Sequence, residues 1–236
     1  MTNWLVEADT PAVIDTACRI IHGAASAAIE ARGRFHLVLA GGTTPLAAYQ
    51  RLAASDQRWK RWTLYYGDER CVPAEDPLRN SKQVIASGLA GRVGKHLPIP
   101  TERGCVKAAK LYAKQIADVE KFDLVMLGMG EDGHTASLFP ARTWPEEPVF
   151  AIKDAPKPPA ERVTLSVAAL QNSHAMLVLV TGANKAAAVQ QWRDGIDLPI
   201  AQVVGDTAAD VVVERCCLQT AGTPNTAKDA GDRLQP

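Results

Sequence analysis

FDLVMLGMGEDGHTASLFP, residues 122–140, is the stretch from which the fold is read. Phe122 to Leu127 is a short apolar run suited to a strand buried on both faces, and it breaks off into Gly128-Met129-Gly130-Glu131-Asp132-Gly133-His134. A buried strand thus delivers a histidine to a glycine-rich turn, whose main chain is free to bend sharply and let a ligand approach. In open α/β sheets ligands sit beyond the carboxyl ends of the strands, where His134 falls. Residues 128–133 also spell G-x-G-x-x-G, and Asp154 lies at a suitable distance for a ribose. Glu131 and Asp132 would, however, put negative charge where a pyrophosphate belongs. Pro140, Pro145 and Pro148 leave no room for the crossover helix that a nucleotide fold requires.

The bulk properties narrow the function. With 236 residues the chain is long enough for one sizeable α/β domain. Lys plus Arg and Asp plus Glu number 26 each, so a formal net charge of zero argues against nucleic acid or an anionic membrane as partner. No apolar run is read as reaching the roughly 18 residues of a membrane span, and MTNWLVEADT lacks the basic and apolar regions of a signal peptide. Cys18, Cys71, Cys105, Cys216 and Cys217 are odd in number and show no C-x-x-C spacing, a pattern expected of reduced thiols in the cytoplasm.

Outward from the opening stretch, strand-like runs alternate with helical ones. Thr10-Pro11 reads as cap and first turn of an amphipathic helix ending near Gly33. Phe35 to Ala40 is the next strand and breaks into Gly41-Gly42-Thr43-Thr44-Pro45, with Thr44 read as cap and Pro45 as first residue of a helix. Exposed N–H groups at such a helix start favour an anion, but no G-x-x-x-x-G-K-[ST] pattern implies a nucleoside triphosphate. Trp62 to Gly67 is a third strand, followed by Asp68-Glu69-Arg70, which reads either as a site or as a solvated salt bridge. Asn80 or Ser81 caps a helix running to Leu89, His96 is read as a surface loop residue, and helical spacing returns over residues 106–119. Residues 153–160, with three prolines and two lysines, read as a surface loop or an active-site lid. Strands follow at 162–167 and 174–181, the latter ending in Gly182-Ala183-Asn184-Lys185, and a last strand candidate is Val211 to Val213. Lys185 at a helix start is disfavoured by the helix dipole unless it shares an anion with it. Beyond Gln219 the chain has almost no apolar content and is expected to be disordered.

This alternation indicates an α/β fold, a doubly wound, mainly parallel sheet with helices on both faces in a single domain. Parallel topology would bring GGTTP, GDER, GMGEDGH and TGANK to one edge, making a site with phosphate-binding groups, a histidine and carboxylates.

In order and spacing, LAGGTTP, YYGDERCVP, FDLVMLGMGEDGHTASLFP and TGANK resemble the 6-phosphogluconolactonases, within a wider group that includes glucosamine-6-phosphate deaminases and ribose-5-phosphate isomerases. The similarity runs from about Trp4 to Val213. The deaminases typically have D-E-Y where this chain has Asp68-Glu69-Arg70, and a glutamate-bearing F-N-E-P-like segment where it has Ser137-Leu138-Phe139-Pro140. The resemblance implies a sugar-phosphate lactonase domain over residues 1–218, with 219–236 a tail. It implies hydrolysis of 6-phosphoglucono-1,5-lactone, with His134 as general base and Asp68 and Arg70 as its catalytic companions. Arg70, Lys185 and the Gly41-Gly42-Thr43 loop would hold the phosphate or the developing oxyanion, with Arg162 a further phosphate candidate and Gly130 also among the substrate-binding residues. The family's D-x-x-S-N segment reads Asp76-Pro77-Leu78-Arg79-Asn80 here, so Arg79 takes the serine position and is a further phosphate candidate.

Ester hydrolysis suits these residues, because histidine is a base near neutral pH and a carboxylate partner fixes its tautomer. No G-x-S-x-G elbow supports a covalent serine route through Ser137. Water is the nucleophile, so no cofactor is expected and no metal site is read. The expected partner is a small sugar phosphate, with no nucleic acid or membrane, and the chain a monomer or weak homodimer. A deaminase and a non-catalytic sugar-phosphate sensor remain as alternatives.

Overall fold

The computed structural model describes residues 2–219; the expected disordered tail lies outside them, apart from Gln219. Ten strands and seven α-helices alternate: β1 (Thr2–Glu7), α1 (Thr10–Arg32), β2 (Phe35–Leu39), α2 (Thr43–Ala53), β3 (Trp62–Tyr66), β4 (Asp68–Arg70), α3 (Asn80–Ala86), β5 (Lys95–His96), α4 (Cys105–Ile116), β6 (Phe122–Gly128), β7 (Val149–Ile152), β8 (Arg162–Leu165), α5 (Val167–Gln171), β9 (Ser173–Val180), α6 (Ala186–Arg193), α7 (Pro199–Val204) and β10 (Ala209–Glu214).

The main sheet has seven strands, all parallel, in the order β1-β10-β9-β6-β2-β3-β5. From β2 the chain winds outward through β3 and β5, then returns to the other side of β2 at β6 and continues through β9 and β10. The winding reverses between β2 and β6, the place where an open α/β sheet leaves a crevice for a ligand. β6 is buried along its length up to Gly128, as its continuous apolar run requires for a strand covered on both faces.

A second sheet, β4-β8-β7, is antiparallel and is not legible in the sequence as a separate layer. Gly67 is the joint: its N–H donates to Leu39 O of the main sheet at 3.0 Å, and its carbonyl accepts from Leu165 of β8 at 2.8 Å. The next three residues are therefore a strand and not a solvated triplet, and Asp68 and Glu69 are buried.

α1 is long and apolar enough to cross a membrane by length and composition, contrary to the sequence reading. Its Val13, Ala17, Ile21, Ala25 and Ala28 are instead buried in the hydrophobic core, as an amphipathic helix packed on a sheet requires. Its cap is Asp9, one residue earlier than expected, accepting from Ala12 N at 2.9 Å. α2 likewise begins earlier than read, at Thr43 with Gly42 as cap. The hydroxyl of Thr44 is taken by Thr181 at 2.7 Å and is unavailable for capping. β1 and α7 were not recognised in the sequence; β1 is a short edge strand whose partner β10 lies at the other end of the chain. His96 belongs to β5 and bonds the Tyr66 hydroxyl at 2.6 Å, so it is not a free surface residue.

The cysteines also depart from expectation. Cys71, just past β4, and Cys105, at the start of α4, form a disulfide with Cα atoms 6.0 Å apart, while Cys18, Cys216 and Cys217 are free. Their separation of 34 residues carries no local spacing signal, since only the packing of α4 against the small sheet brings them together.

Candidate active site

The turns after β2 and β6, the Gly67 joint and the start of the segment after β9 enclose a cavity of about 200 Å³ lined by Gly41, Gly42, Asp68, Arg70, Gly130, His134, Arg162 and Lys185 among others. Imidazole and carboxylate, more than sixty residues apart in sequence, face one space.

The turn after β6 is built around His134. Gly133 takes φ 77°, the left-handed conformation that permits the reversal. Gly130 serves by lacking a side chain: a Cβ there would lie 2.7 Å from Asp132 Oδ1 and overlap the His134 ring. Gly130 N donates to His134 O at 2.8 Å and Gly133 N to Gly130 O at 3.1 Å, closing the loop. In this geometry His134 Nδ1 and Asp132 Oδ1 form a short hydrogen bond. An ionised carboxylate only accepts, so Nδ1 carries the proton and Nε2 keeps its lone pair. Burial pushes the imidazole below its ordinary pKa, against the opposing effect of Asp132, which leaves the ring neutral at pH 7. Burial is the strongest single influence on Asp132 and works against its charge, but the hydrogen bonds and attraction of His134 together with its own backbone N–H outweigh it and hold the carboxyl below its ordinary range. In sequence Asp132 speaks only against a pyrophosphate; its position two residues before the histidine in a glycine turn is the signal of its role.

Asp68 is held elsewhere. Its Oδ2 accepts from the Ser137 hydroxyl at 2.6 Å, its Oδ1 from Asn80 Nδ2 at 3.2 Å, and Arg162 Nη1 lies 3.8 Å away. Ser137 reaches it through a tight turn in which Thr135 and Leu138 exchange backbone hydrogen bonds and Ala136 adopts φ 48°. Ser137 is thus a support for a carboxylate, and with Asn80 it is a functional neighbour that motif reading did not foresee. β4 places Asp68 and Arg70 on one face and Glu69 on the other. Arg70 donates from Nη1 to Leu78 O at 2.6 Å. Arg162, opposite Arg70 in the antiparallel pair, turns Nε and Nη2 to the carbonyls of Lys157, Pro158 and Pro159 at 3.0–3.3 Å and donates from Nη1 to Ser137 Oγ at 3.4 Å, beside Asp68.

The anion-binding side is formed by Gly41, Gly42 and the exposed N-terminus of α2, with Thr43 at its first turn. The buried Tyr49 hydroxyl fixes this loop, accepting from Ala40 N at 2.9 Å and donating to Ala40 O at 2.8 Å. Lys185 completes the rim; its loop is tied to the histidine turn by Asn184 Nδ2 donating to Glu131 at 2.5 Å. Burial lowers the Lys185 pKa against the attraction of Glu131.

Arg79 is not at the site, contrary to expectation. It is buried, donating to Ser81 Oγ at 3.1 Å, Ile99 O at 3.1 Å and Glu102 at 2.8 Å, with Glu69 at 3.9 Å. Glu69 in turn accepts backbone N–H bonds from Arg70, Asn80 and Ser81 at 2.7–2.9 Å. This cluster anchors the start of α3 to β4, so Arg79 fulfils a packing need and contacts no ligand space.

Residues 8–213 match the family model described as glucosamine-6-phosphate isomerases/6-phosphogluconolactonase. The chain is 35% identical to the 6-phosphogluconolactonase of Mycobacterium tuberculosis over 84% of its own length and 89% of that protein. In structure it is similar to the 6-phosphogluconolactonase of Thermotoga maritima, with a TM-score of 0.83 at 28% identity over 91% of this chain and all of the other. A monomeric glucosamine-6-phosphate deaminase shares the fold at a TM-score of 0.77 and 18% identity, over 92% of this chain and 98% of its own. With the matched region spanning nearly the whole described chain, the protein belongs to the glucosamine-6-phosphate isomerase/6-phosphogluconolactonase family.

Proposed function

We propose that the chain hydrolyses 6-phospho-D-glucono-1,5-lactone to 6-phospho-D-gluconate, a step of the oxidative pentose phosphate pathway. The observation that carries this reading is the Asp132–His134 pair, a neutral imidazole with its far nitrogen free, in the same cavity as a helix N-terminus and Lys185. His134 Nε2 takes a proton from water as the oxygen attacks the lactone carbonyl, and Asp132 stabilises the imidazolium that forms. The carbonyl oxygen gains negative charge, which Arg70 on the cavity wall is suited to neutralise. Collapse of the tetrahedral adduct breaks the bond to the ring oxygen, which leaves with the proton from His134, giving the open carboxylate. The sugar's phosphate lies against Gly41, Gly42, Thr43 and Lys185, holding the lactone in one orientation. Asp68, anchored by Ser137 and Asn80, fixes the wall beside Arg70 and Arg162.

The deaminase alternative lacks support at Ser137, which occupies the place of a glutamate-bearing segment and is committed to Asp68. Lactone hydrolysis followed with the spontaneous rate subtracted tests the reading. The wild-type chain should exceed background by orders of magnitude and Asp68→Asn should fall well below wild type. Wild-type turnover equal to background refutes the proposal.

A further inference from the structure

By composition, residues 153–160 suit either a lid over ligand or a surface loop. Two arginines hold it in place. Arg142 grips Asp154 through its carboxylate at 2.8 Å and its carbonyl at 2.7 Å, and Arg162 takes the carbonyls of Lys157, Pro158 and Pro159. Ala155 N donates to Ala160 O at 2.9 Å, closing the loop on itself. Three donated bonds from a buried guanidinium next to Asp68 are more than a surface loop needs, and their effect is to fix the main chain that carries Lys157.

Lys157 Nζ stands 3.8 Å from Asp132 Oδ1, beside the catalytic pair, with its side chain 43% exposed. Its charge is felt at His134 and at Lys185, each of whose cationic forms it disfavours. The groups facing Nζ are therefore Asp132, His134 and Lys185, with Glu131 on the far side of Lys185. The ammonium groups of Lys157 and Lys185 repel each other, while Asp132 is already engaged by His134. A dianion between the lysines would relieve that repulsion and release Asp132 to the imidazole alone.

We propose that Lys157, presented by the loop that Arg162 pins, is a substrate-binding residue that grips the phosphate of the sugar together with Lys185. This rests on the sugar-phosphate reading of the cavity. Lys157 contributes ground-state binding, so its charge governs affinity for phosphorylated ligands and the preference for them over unphosphorylated lactones.

The test compares wild type, Lys157→Met and Lys157→Arg on 6-phosphoglucono-1,5-lactone and on unphosphorylated glucono-1,5-lactone, with calorimetric binding of 6-phosphogluconate in parallel. Loss of the contact should raise KM for the phosphorylated lactone about tenfold in Lys157→Met, equivalent to about 1.4 kcal/mol. At a pH above the acid limb of His134 it should leave kcat and the rate on the unphosphorylated lactone near wild type, and Lys157→Arg should restore most of the affinity. An unchanged KM, or an equal loss on both lactones, overturns the proposal. Should wild type hydrolyse neither lactone, the reading of the activity fails, and the calorimetric arm alone decides the role of Lys157: weaker 6-phosphogluconate binding by Lys157→Met supports it, and equal binding overturns it.

Discussion

At the scale of single residues, the chemistry rests on one imidazole whose two nitrogens have different tasks. Asp132 both orients the ring and raises its basicity against burial, so replacing it with asparagine removes two supports at once. Wild-type kcat/KM should rise with pH along an acid limb whose midpoint lies below the ordinary histidine value, because the buried ring stays neutral further into acid. In Asp132→Asn the raising effect is lost, so the limb should move to still lower pH while kcat falls by about 10²-fold or more, the usual worth of a general base. A pH–rate profile checks both, and a limb displaced upward contradicts the assignment. His134 was legible because a histidine following a glycine turn at a strand end has few structural uses. Asp132 is not legible, because in sequence an acidic residue in a turn looks like any solvated turn residue. Ser137 and Asn80 were not assigned because their partner, Asp68, is distant in the chain from one of them and reached only through the second sheet.

At the scale of elements, the site depends on turns and short strands whose boundaries sequence periodicity does not resolve. β6 and β9 declared themselves by unbroken apolar runs and the end of α1 by its capping Gly33, but β4 is three charged residues long and becomes a strand only through pairing with β8. Arg79 illustrates the same limit. Its position in the motif suggested phosphate, whereas the start of α3 needs a cation beside buried Glu69, whose pKa is raised by burial in spite of three backbone N–H donors. Arg79→Met should therefore cost stability, about 3 kcal/mol by analogy with other broken buried pairs, and leave KM unchanged. Denaturant unfolding together with steady-state kinetics distinguishes this from a ligand contact, which would raise KM at unchanged stability. In the β6 turn, Gly130→Ala should displace the histidine pair, lowering kcat by at least about tenfold, a scale expected when a catalytic group is misplaced by about an ångström. A variant with wild-type kcat would show that the ring tolerates the extra methyl.

At the scale of the molecule, reversal of the winding between β2 and β6 gathers loops from distant parts of the chain at one edge. Alternating apolar runs made that architecture readable, since parallel strands are buried on both faces and leave few other arrangements. The disulfide and the small sheet were not readable, because each is a consequence of packing between segments with no local signature. The shared fold with a deaminase means that topology alone does not choose the reaction; the contents of the cavity do. Incubation with glucosamine 6-phosphate should accordingly release no ammonia above a protein-free control, and steady release would reassign the chemistry. The most direct test of the central claim, that His134 in this cavity is the base for lactone opening, is turnover of 6-phosphoglucono-1,5-lactone by His134→Gln with spontaneous opening subtracted. The expected result is a fall of at least about 10²-fold from wild type; turnover within a few-fold of wild type would contradict it.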